Sequence, residues 1–394
     1  MTGFGRRSLE KIWNIGEMRR EALRLPGPLF DLIDGGAGDE IALRENREAY
    51  DRIGLRARAL ADVSTVDIST TVLGRRHAMP LLLAPVGGGN AVRLNPSGEL
   101  AVARAASSRD VTYVLHQAPT YPLEAIAEAV DGASQAQLWS QLYLPGERDV
   151  AAAVLRRIER AGCPVLCVTV DNPVLPRTRQ RDFRNRFTTP AQPYPDQHAL
   201  IKMGLRHPLW MARYARGRRA SRRLFTAERP RHINHSHEKS VTFDDVTWLR
   251  DHWKGPLVVK GIQRGDECDR LVQVGVDGII VSNHGARYLD TCRATIEILP
   301  EVVEAVAGRA GVLIDGGILR GTDVIKALAL GASAVLIGKA YLYGLAVGGQ
   351  AGVERVLDIF TSEIVEAMAL TGCASVADID RSLVALPAAG PPST

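Results

Sequence analysis

The sequence predicts an α/β fold, a (β/α)8 TIM barrel with an N-terminal helical extension and a long insertion after strand four. Two observations lead there. Apolar runs of four to seven residues recur along the chain, each followed by a helical stretch, the alternation of parallel strands joined by helical crossovers. Eight such units lie between residues 80 and 371, and eight units close a barrel of ~250 residues once the insertion is set aside. An open doubly wound sheet is the lesser alternative.

The elements follow in chain order. Residues 1–78 read as a helical extension, with a partial apolar stripe at Leu9, Ile12 and Ile15. The barrel occupies 79–375. Its strand candidates are Pro80–Ala84, Thr112–Leu115, Gln137–Leu142, Val165–Val170, Leu257–Lys260, Gly278–Val281, Val312–Ile314 and Ala334–Ile337. Helices are expected at Gly98–Ser108, Leu123–Val130, Arg148–Ala161 and Thr322–Leu330, and 376–394 reads as a C-terminal tail. Segment 172–241 is too long for an ordinary βα loop.

Composition narrows the function. Of 394 residues, 46% are apolar and 24% charged, ordinary for a soluble globular chain. The net charge is +5, but Lys202–Arg231 alone holds ten Lys/Arg against Glu228, leaving the remainder near −4. That excludes a generally basic, nucleic-acid-binding surface. Barrel βα loops surround the active site, so 172–241 reads as a solvated loop, a lid, or a peripheral contact with a membrane surface or acidic partner. Trp210, Met211 and Tyr214 among arginines allow the last reading. His232, His235 and His237 cluster there, yet no metal site is expected. No apolar run reaches the ~18 residues of a spanning helix, and the N-terminus lacks a secretory apolar core. Cys163, Cys167, Cys268, Cys292 and Cys373 form no CxxC pair, as in a cytoplasmic protein with reduced thiols.

In a barrel, chemistry gathers where strands end. The first strand is followed by Ala84-Pro85-Val86-Gly87-Gly88-Gly89, glycines that let a flat ligand approach the backbone. Gln141 and Tyr143 share a face at the end of the third strand, and Thr169 and Asp171 at the end of the fourth. Lys260 closes the apolar run LVVK, where burial calls for an anionic partner, either a ligand or a carboxylate. Ser282-Asn283-His284-Gly285-Ala286-Arg287 follows the sixth strand. It sets an imidazole suited to proton transfer three residues before a guanidinium suited to carboxylate binding. Asp315-Gly316-Gly317 and Gly338-Lys339 end the last two strands, where backbone N–H groups commonly bind phosphate. Together these ends describe a phosphate-anchored cofactor below a base and an arginine.

The runs VKGI, GIIVSNHGARYLD and IDGGILRGTDVIKALALGASAVLIGKAYLYGLA resemble the FMN-dependent α-hydroxy acid oxidase and dehydrogenase family, which includes glycolate oxidase, lactate oxidase and mandelate dehydrogenase. The resemblance extends from LPGPLFDLIDGGAGDE at 25–40 to the helix ending near Gly372. It implies FMN at the strand C-termini, a small carboxylate substrate, a homotetramer and no nucleic-acid partner. By position, His284 is the base for the α-proton, or for the hydroxyl proton if hydride moves directly to the flavin. Asp171 orients it. Arg287 and Arg179 bind the substrate carboxylate, with Arg177 the second candidate for the latter place. Tyr143 bonds a substrate oxygen, and Lys260 offsets charge on the reduced flavin. Pro85, Val86, Gly87, His116, Gln141, Thr169 and Ser282 fall to the flavin ring and ribityl chain. Asp315, Gly317, Arg320, Gly338 and Lys339 fall to ribityl and phosphate.

Four positions depart from the family pattern. Leu32 stands in place of a substrate-binding tyrosine and Ala118 in place of a tryptophan. Leu319 stands in place of an arginine, with Arg320 beside it, and Lys339 replaces another arginine. The first two imply a bulky or unusual substrate; the last two imply weaker hold on FMN. The insertion also resembles that of a mycofactocin-maturation branch. The alternatives are therefore a tailoring oxidase acting on an amine in a modified peptide or natural product, and a barrel that has lost its flavin.

Overall fold

The computed structural model describes residues 6–87, 90–130, 138–174, 181, 197–225 and 241–386. Eight parallel strands close a barrel in chain order: β1 (Leu81–Leu83), β2 (Tyr113–Leu115), β3 (Leu138–Leu142), β4 (Leu166–Thr169), β5 (Leu257–Ile262), β6 (Gly278–Val281), β7 (Gly311–Asp315) and β8 (Ala334–Ile337). β8 returns to β1 through Val335–Leu81, Leu336–Leu82 and Ile337–Leu83. All eight expected strands are present. They read as continuous apolar runs because both faces of a parallel barrel are covered.

Every strand sends a side chain into the barrel interior: Leu82, Val114, Trp139, Cys167, Val258, Ile280, Leu313 and Leu336 are all buried there. Neighbours such as Leu83, Val168, Val259 and Ile314 turn outward against the helices. A step of two residues stays on the same face of a strand. Two residues beyond each interior side chain therefore stand Ala84, His116, Gln141, Thr169, Lys260, Ser282, Asp315 and Gly338, at the C-terminal mouth. An apolar barrel is thus topped by a largely polar ring, and that ring is the floor of the site.

Among the described residues four helices precede the barrel: α1 (Arg6–Leu9), α2 (Ile15–Ala22), α3 (Gly27–Asp34) and α4 (Ile41–Asp51). Asn14 caps α2 by accepting from Glu17 N at 2.9 Å. Leu9, Ile12 and Ile15, the expected stripe, are 3%, 4% and 1% exposed. Then come α5 (Asn90–Leu94), α6 (Gly98–Ser108), α7 (Leu123–Ala129), α8 (Arg148–Arg160), α9 (Gln197–Arg206), α10 (Pro208–Leu224), α11 (Phe243–His252), α12 (Cys268–Val274), α13 (Thr295–Val306), α14 (Gly321–Ala329), α15 (Lys339–Gly348) and α16 (Gln350–Thr371). α15 starts directly after β8, at the C-terminal mouth of the barrel. The hairpin of Thr70–Val72 and Arg75–His77 closes the opposite end, with Val72 buried in the interior cluster. The C-terminal segment folds back: Val384 and Ala385 pair with Leu55 and Gly54.

The described part of the insertion is a docked helical pair. Gly217 of α10 lies so close to the loop before α6 that a Cβ would sit 2.7 Å from Pro96 O. Trp210 and Tyr214 are half-buried on this largely exposed helix. Their rings stack at 5.2 Å, and Trp210 Nε1 donates to Arg93 O at 2.8 Å. The exposed apolar residues of the pair are Ile201, Leu205 and Leu209. Among the described residues no helix is long and apolar enough to cross a membrane. His232, His235, His237, Arg177 and Arg179 lie outside the described residues.

Candidate active site

The loop after β6 is wound tightly. His284, Gly285 and Ala286 all have positive φ, at 57°, 62° and 59°, a conformation that costs L-residues energy and persists where surrounding bonds enforce it. Those bonds are present. His284 N donates to Ser282 Oγ at 3.0 Å, and Ala286 N to Asn283 Oδ1 at 3.2 Å. Ala37 N of the extension donates to Ala286 O at 2.8 Å. His284 Nδ1 is 2.9 Å from Asp171 Oδ1, which leaves Nε2 for the cavity above the ring. The Tyr288 ring meets the imidazole edge-on, centroids 4.5 Å apart.

Asp171 is buried. Burial alone pushes its carboxyl upward, but His284 and Lys260 outweigh that and hold it below the usual carboxylate range. Its approach to strand five depends on Gly261, whose φ is +109° and where a Cβ would lie 2.5 Å from Asp171 Cβ. Lys260 Nζ is 2.9 Å from Asp315 Oδ2 and 2.7 Å from Ser282 Oγ. Burial opposes its charge, yet Asp315 and Asp171 raise it above the ordinary lysine value. It stays an ammonium across the physiological range.

Gln141, Thr169 and Ser282 form the layer beneath. Gln141 Nε2 donates to Thr169 Oγ1 at 3.1 Å, and Gln141 Oε1 accepts from Gln117 N at 3.2 Å. Above them a cavity of about 470 Å³ is lined by Pro85, Val86, Gly87, His116, Tyr143, Lys260, His284, Arg287, Asp315, Gly317, Gly338 and Lys339, all expected from the sequence. Gly87 is pressed against His116, where a Cβ would fall 2.0 Å from its Cγ. The extension straps the rim. Arg287 Nη1 donates to Gly35 O at 3.0 Å, and Lys339 Nζ to Asp34 O at 2.8 Å.

The structure does not bring every expected residue to the cavity. Arg320 turns away, 2.9 Å from Glu363 with its side chain 57% exposed, so Leu319 alone faces inward at that place. Ala118 does not line the cavity, whereas Leu32 does. Asp34, Arg93, Arg181 and Tyr288 line it without having been singled out. Arg181 is 2.5 Å from Asp34 and 2.6 Å from Glu40. The alternating arginines at 177, 179 and 181 were the available signal for it, and the tyrosine inside SNHGARYLD for Tyr288.

The cavity suits a flat ring on a phosphorylated polyol. Its volume lies within the ~300–1,000 Å³ of small-molecule sites. Gly316 and Gly317 have φ of 97° and 77°, and a Cβ on Gly317 would sit 1.9 Å from Asn46 O, so only bare backbone passes there. The N-terminus of α15, with Gly338 and Lys339, adjoins it. Among the described residues Asp315 Oδ1 is buried without a hydrogen-bond partner, an acceptor that a polyol hydroxyl would satisfy. FMN fits this donor and acceptor set.

Comparison with known proteins agrees. Residues 22–386 match the family model described as FMN-dependent dehydrogenase. The chain is 45% identical to an L-lactate oxidase of Nostoc sp. over 357 residues, covering 91% of this chain and 93% of the relative. It is 40% identical to 2-hydroxyacid oxidase 1 of Mus musculus, covering 90% and 91%. Among solved structures, (S)-mandelate dehydrogenase, described as a monotopic membrane protein, superposes with a TM-score of 0.85 at 32% identity, covering 96% of this chain and all of the other. Mandelate oxidase with 2-hydroxy-phenylacetamide gives 0.79 at 36% identity, covering 96% and 99%. The chain belongs to the FMN-dependent dehydrogenase family.

Proposed function

We propose that the chain oxidises the α-carbon of a 2-hydroxy acid, with His284 as the base. The observation that carries this reading is the His284 Nδ1–Asp171 Oδ1 contact of 2.9 Å on the wall that also presents Arg287. Bound FMN supplies a two-electron acceptor. The chain's own groups do the rest. His284 Nε2 takes a proton from the substrate, and the Asp171 carboxylate stabilises the imidazolium that results, as an orienting carboxylate does. Arg287 fixes the substrate carboxylate, with Arg179 expected to join it. The Tyr143 hydroxyl bonds a substrate oxygen. Lys260 opposes negative charge developing at the ring.

Leu32 supports a larger or unusual substrate, since it lines the cavity without the hydroxyl of a tyrosine. A hydrogen bond to a small acid is thereby missing, commonly ~0.5–1.5 kcal/mol. The five cysteines are free thiols, which supports a reducing, cytoplasmic setting. The likeness to this family supports a homotetramer. The exposed Ile201, Leu205 and Leu209 beside Lys202, Arg206 and Arg213 support contact with an anionic membrane surface. An anaerobic panel of glycolate, lactate, mandelate and longer 2-hydroxy acids tests the activity. Several should bleach the flavin, the longer ones with the highest kcat/KM. Bleaching by amines alone would favour the tailoring reading instead, and glycolate as best substrate at ~10⁴ M⁻¹s⁻¹ or above would make Leu32 a neutral replacement.

A further inference from the structure

The phosphate end of the cavity lies between Gly317 and Leu319 after β7 and Gly338 and Lys339 after β8. A phosphate monoester carries about −1.5 to −2 charges at neutral pH. Leu319 brings it neither charge nor donor, and Arg320 turns out to Glu363. The loops after β7 and β8 therefore set a single cationic side chain, Lys339, against nearly two negative charges.

α4 runs across this end. Its sequence IALRENREAYD sets Arg44 and Arg47 three residues apart, on one face of the helix. Contacts fix where that face lies. Arg47 Nη1 donates to Gly317 O at 2.9 Å and Nη2 to Asp323 Oδ1 at 2.8 Å, so the Arg47 guanidinium is committed to the β7 side. One turn earlier, Arg44 N donates to Glu40 O at 3.1 Å. The Glu40 carboxylate accepts from Gly36 N at 2.9 Å and pairs with Arg181. Arg181 also pairs with Asp34, whose carbonyl accepts from Lys339 Nζ at 2.8 Å. Arg44 thus stands between a turn fastened beside Lys339 and a turn fastened on Gly317, and it lines the cavity. It is exposed, and among the described residues its guanidinium has one partner, the Asp39 carbonyl at 3.0 Å. That carbonyl neutralises no charge and leaves most of the guanidinium N–H donors for an oxyanion.

We propose that Arg44 binds the FMN phosphate, supplying from α4 the guanidinium that the loop after β7 lacks. The proposal rests on placing the phosphate between Gly317 and Lys339. Arg44 reaches it by exchanging the Asp39 carbonyl for phosphate oxygens, which a guanidinium can hold in pairs. A cation at the solvent edge also attracts the anionic cofactor, and salt screens that attraction. If Arg44 were only a solvated residue of α4, its loss would affect FMN and riboflavin alike, because the two differ only in the phosphate.

The test titrates the apoprotein with FMN and with riboflavin, and reads binding from the quenching of flavin fluorescence. Arg44→Met should weaken FMN binding at least ~5-fold, the increment of one charged hydrogen bond discounted for its exposure, and leave riboflavin within about twofold of the wild type. Arg44→Lys should keep part of the affinity, and Arg44→Glu should lose more than Arg44→Met. The preference for FMN should narrow as salt rises, and by less in Arg44→Met than in the wild type. An unchanged ratio of FMN to riboflavin affinity in Arg44→Met, or an equal loss of both flavins, would overturn the proposal. Riboflavin binding itself reports that a variant is folded. Failure of the phosphate placement is separately visible: Lys339→Met would then leave the ratio unchanged as well.

Discussion

Gly261 and Lys339 carry consequences that single substitutions expose. At Gly261 a side chain would meet Asp171 at 2.5 Å. Gly261→Ala should therefore push Asp171 away from His284 and slow flavin reduction by ~10²-fold, the scale of a 1 Å misplacement. Flavin content should stay near that of the wild type; stopped-flow reduction together with the bound-flavin spectrum checks both. Lys339 has its pKa pushed down to about 7 by burial and by Arg287, against ~10.4 in the unfolded chain. Without FMN, the native state bears the full cost of that charge below pH 7. It is relieved as pH rises from there towards 10.4, so the apoprotein should gain stability across that window. Phosphate binding needs the ammonium, so FMN affinity should fall above pH 7, by up to about tenfold per unit. Riboflavin, which lacks the phosphate, should show no such trend, and Lys339→Met should flatten it. Equal pH profiles for FMN and riboflavin would remove Lys339 from the phosphate site.

The elements show what a sequence displays and what it hides. The barrel strands were legible because burial on both faces leaves apolar runs, and the ring at the mouth because side-chain direction has a period of two. The hold of α4 on the mouth was not legible. Asn46 and Asn283 exchange amide bonds of 2.9 and 2.8 Å across 237 positions, and neither residue type announces a partner. Arg320 misled because charge alone does not give direction; Glu363, far along α16, draws it outward. The exposed face of the α9–α10 pair makes its own prediction. The protein should co-sediment with vesicles containing anionic lipid at low salt and release at high salt, each basic residue near the surface contributing ~1 kcal/mol. Leu205→Asp with Leu209→Asp should abolish retention without affecting flavin reduction. Equal binding to neutral and anionic vesicles would contradict an electrostatic membrane contact.

At the scale of the molecule, the extension, the barrel and the insertion each supply one wall. The barrel provides the polar ring, α3 and α4 strap the rim through Asp34, Gly35 and Asn46, and the insertion packs on Leu32 through Met203 and Trp210. The His284–Asp171 pair stands where these walls meet, and the account depends on its taking the substrate proton. The most direct test is stopped-flow anaerobic reduction of the FMN-loaded wild type and His284→Ala, with the best 2-hydroxy acid of the panel. The wild type should bleach. The variant should retain its flavin, because the imidazole is not its anchor, and bleach at least ~10²-fold more slowly, the lower range for general-base catalysis. A variant that bleaches as fast as the wild type would contradict the assignment of His284 as the base.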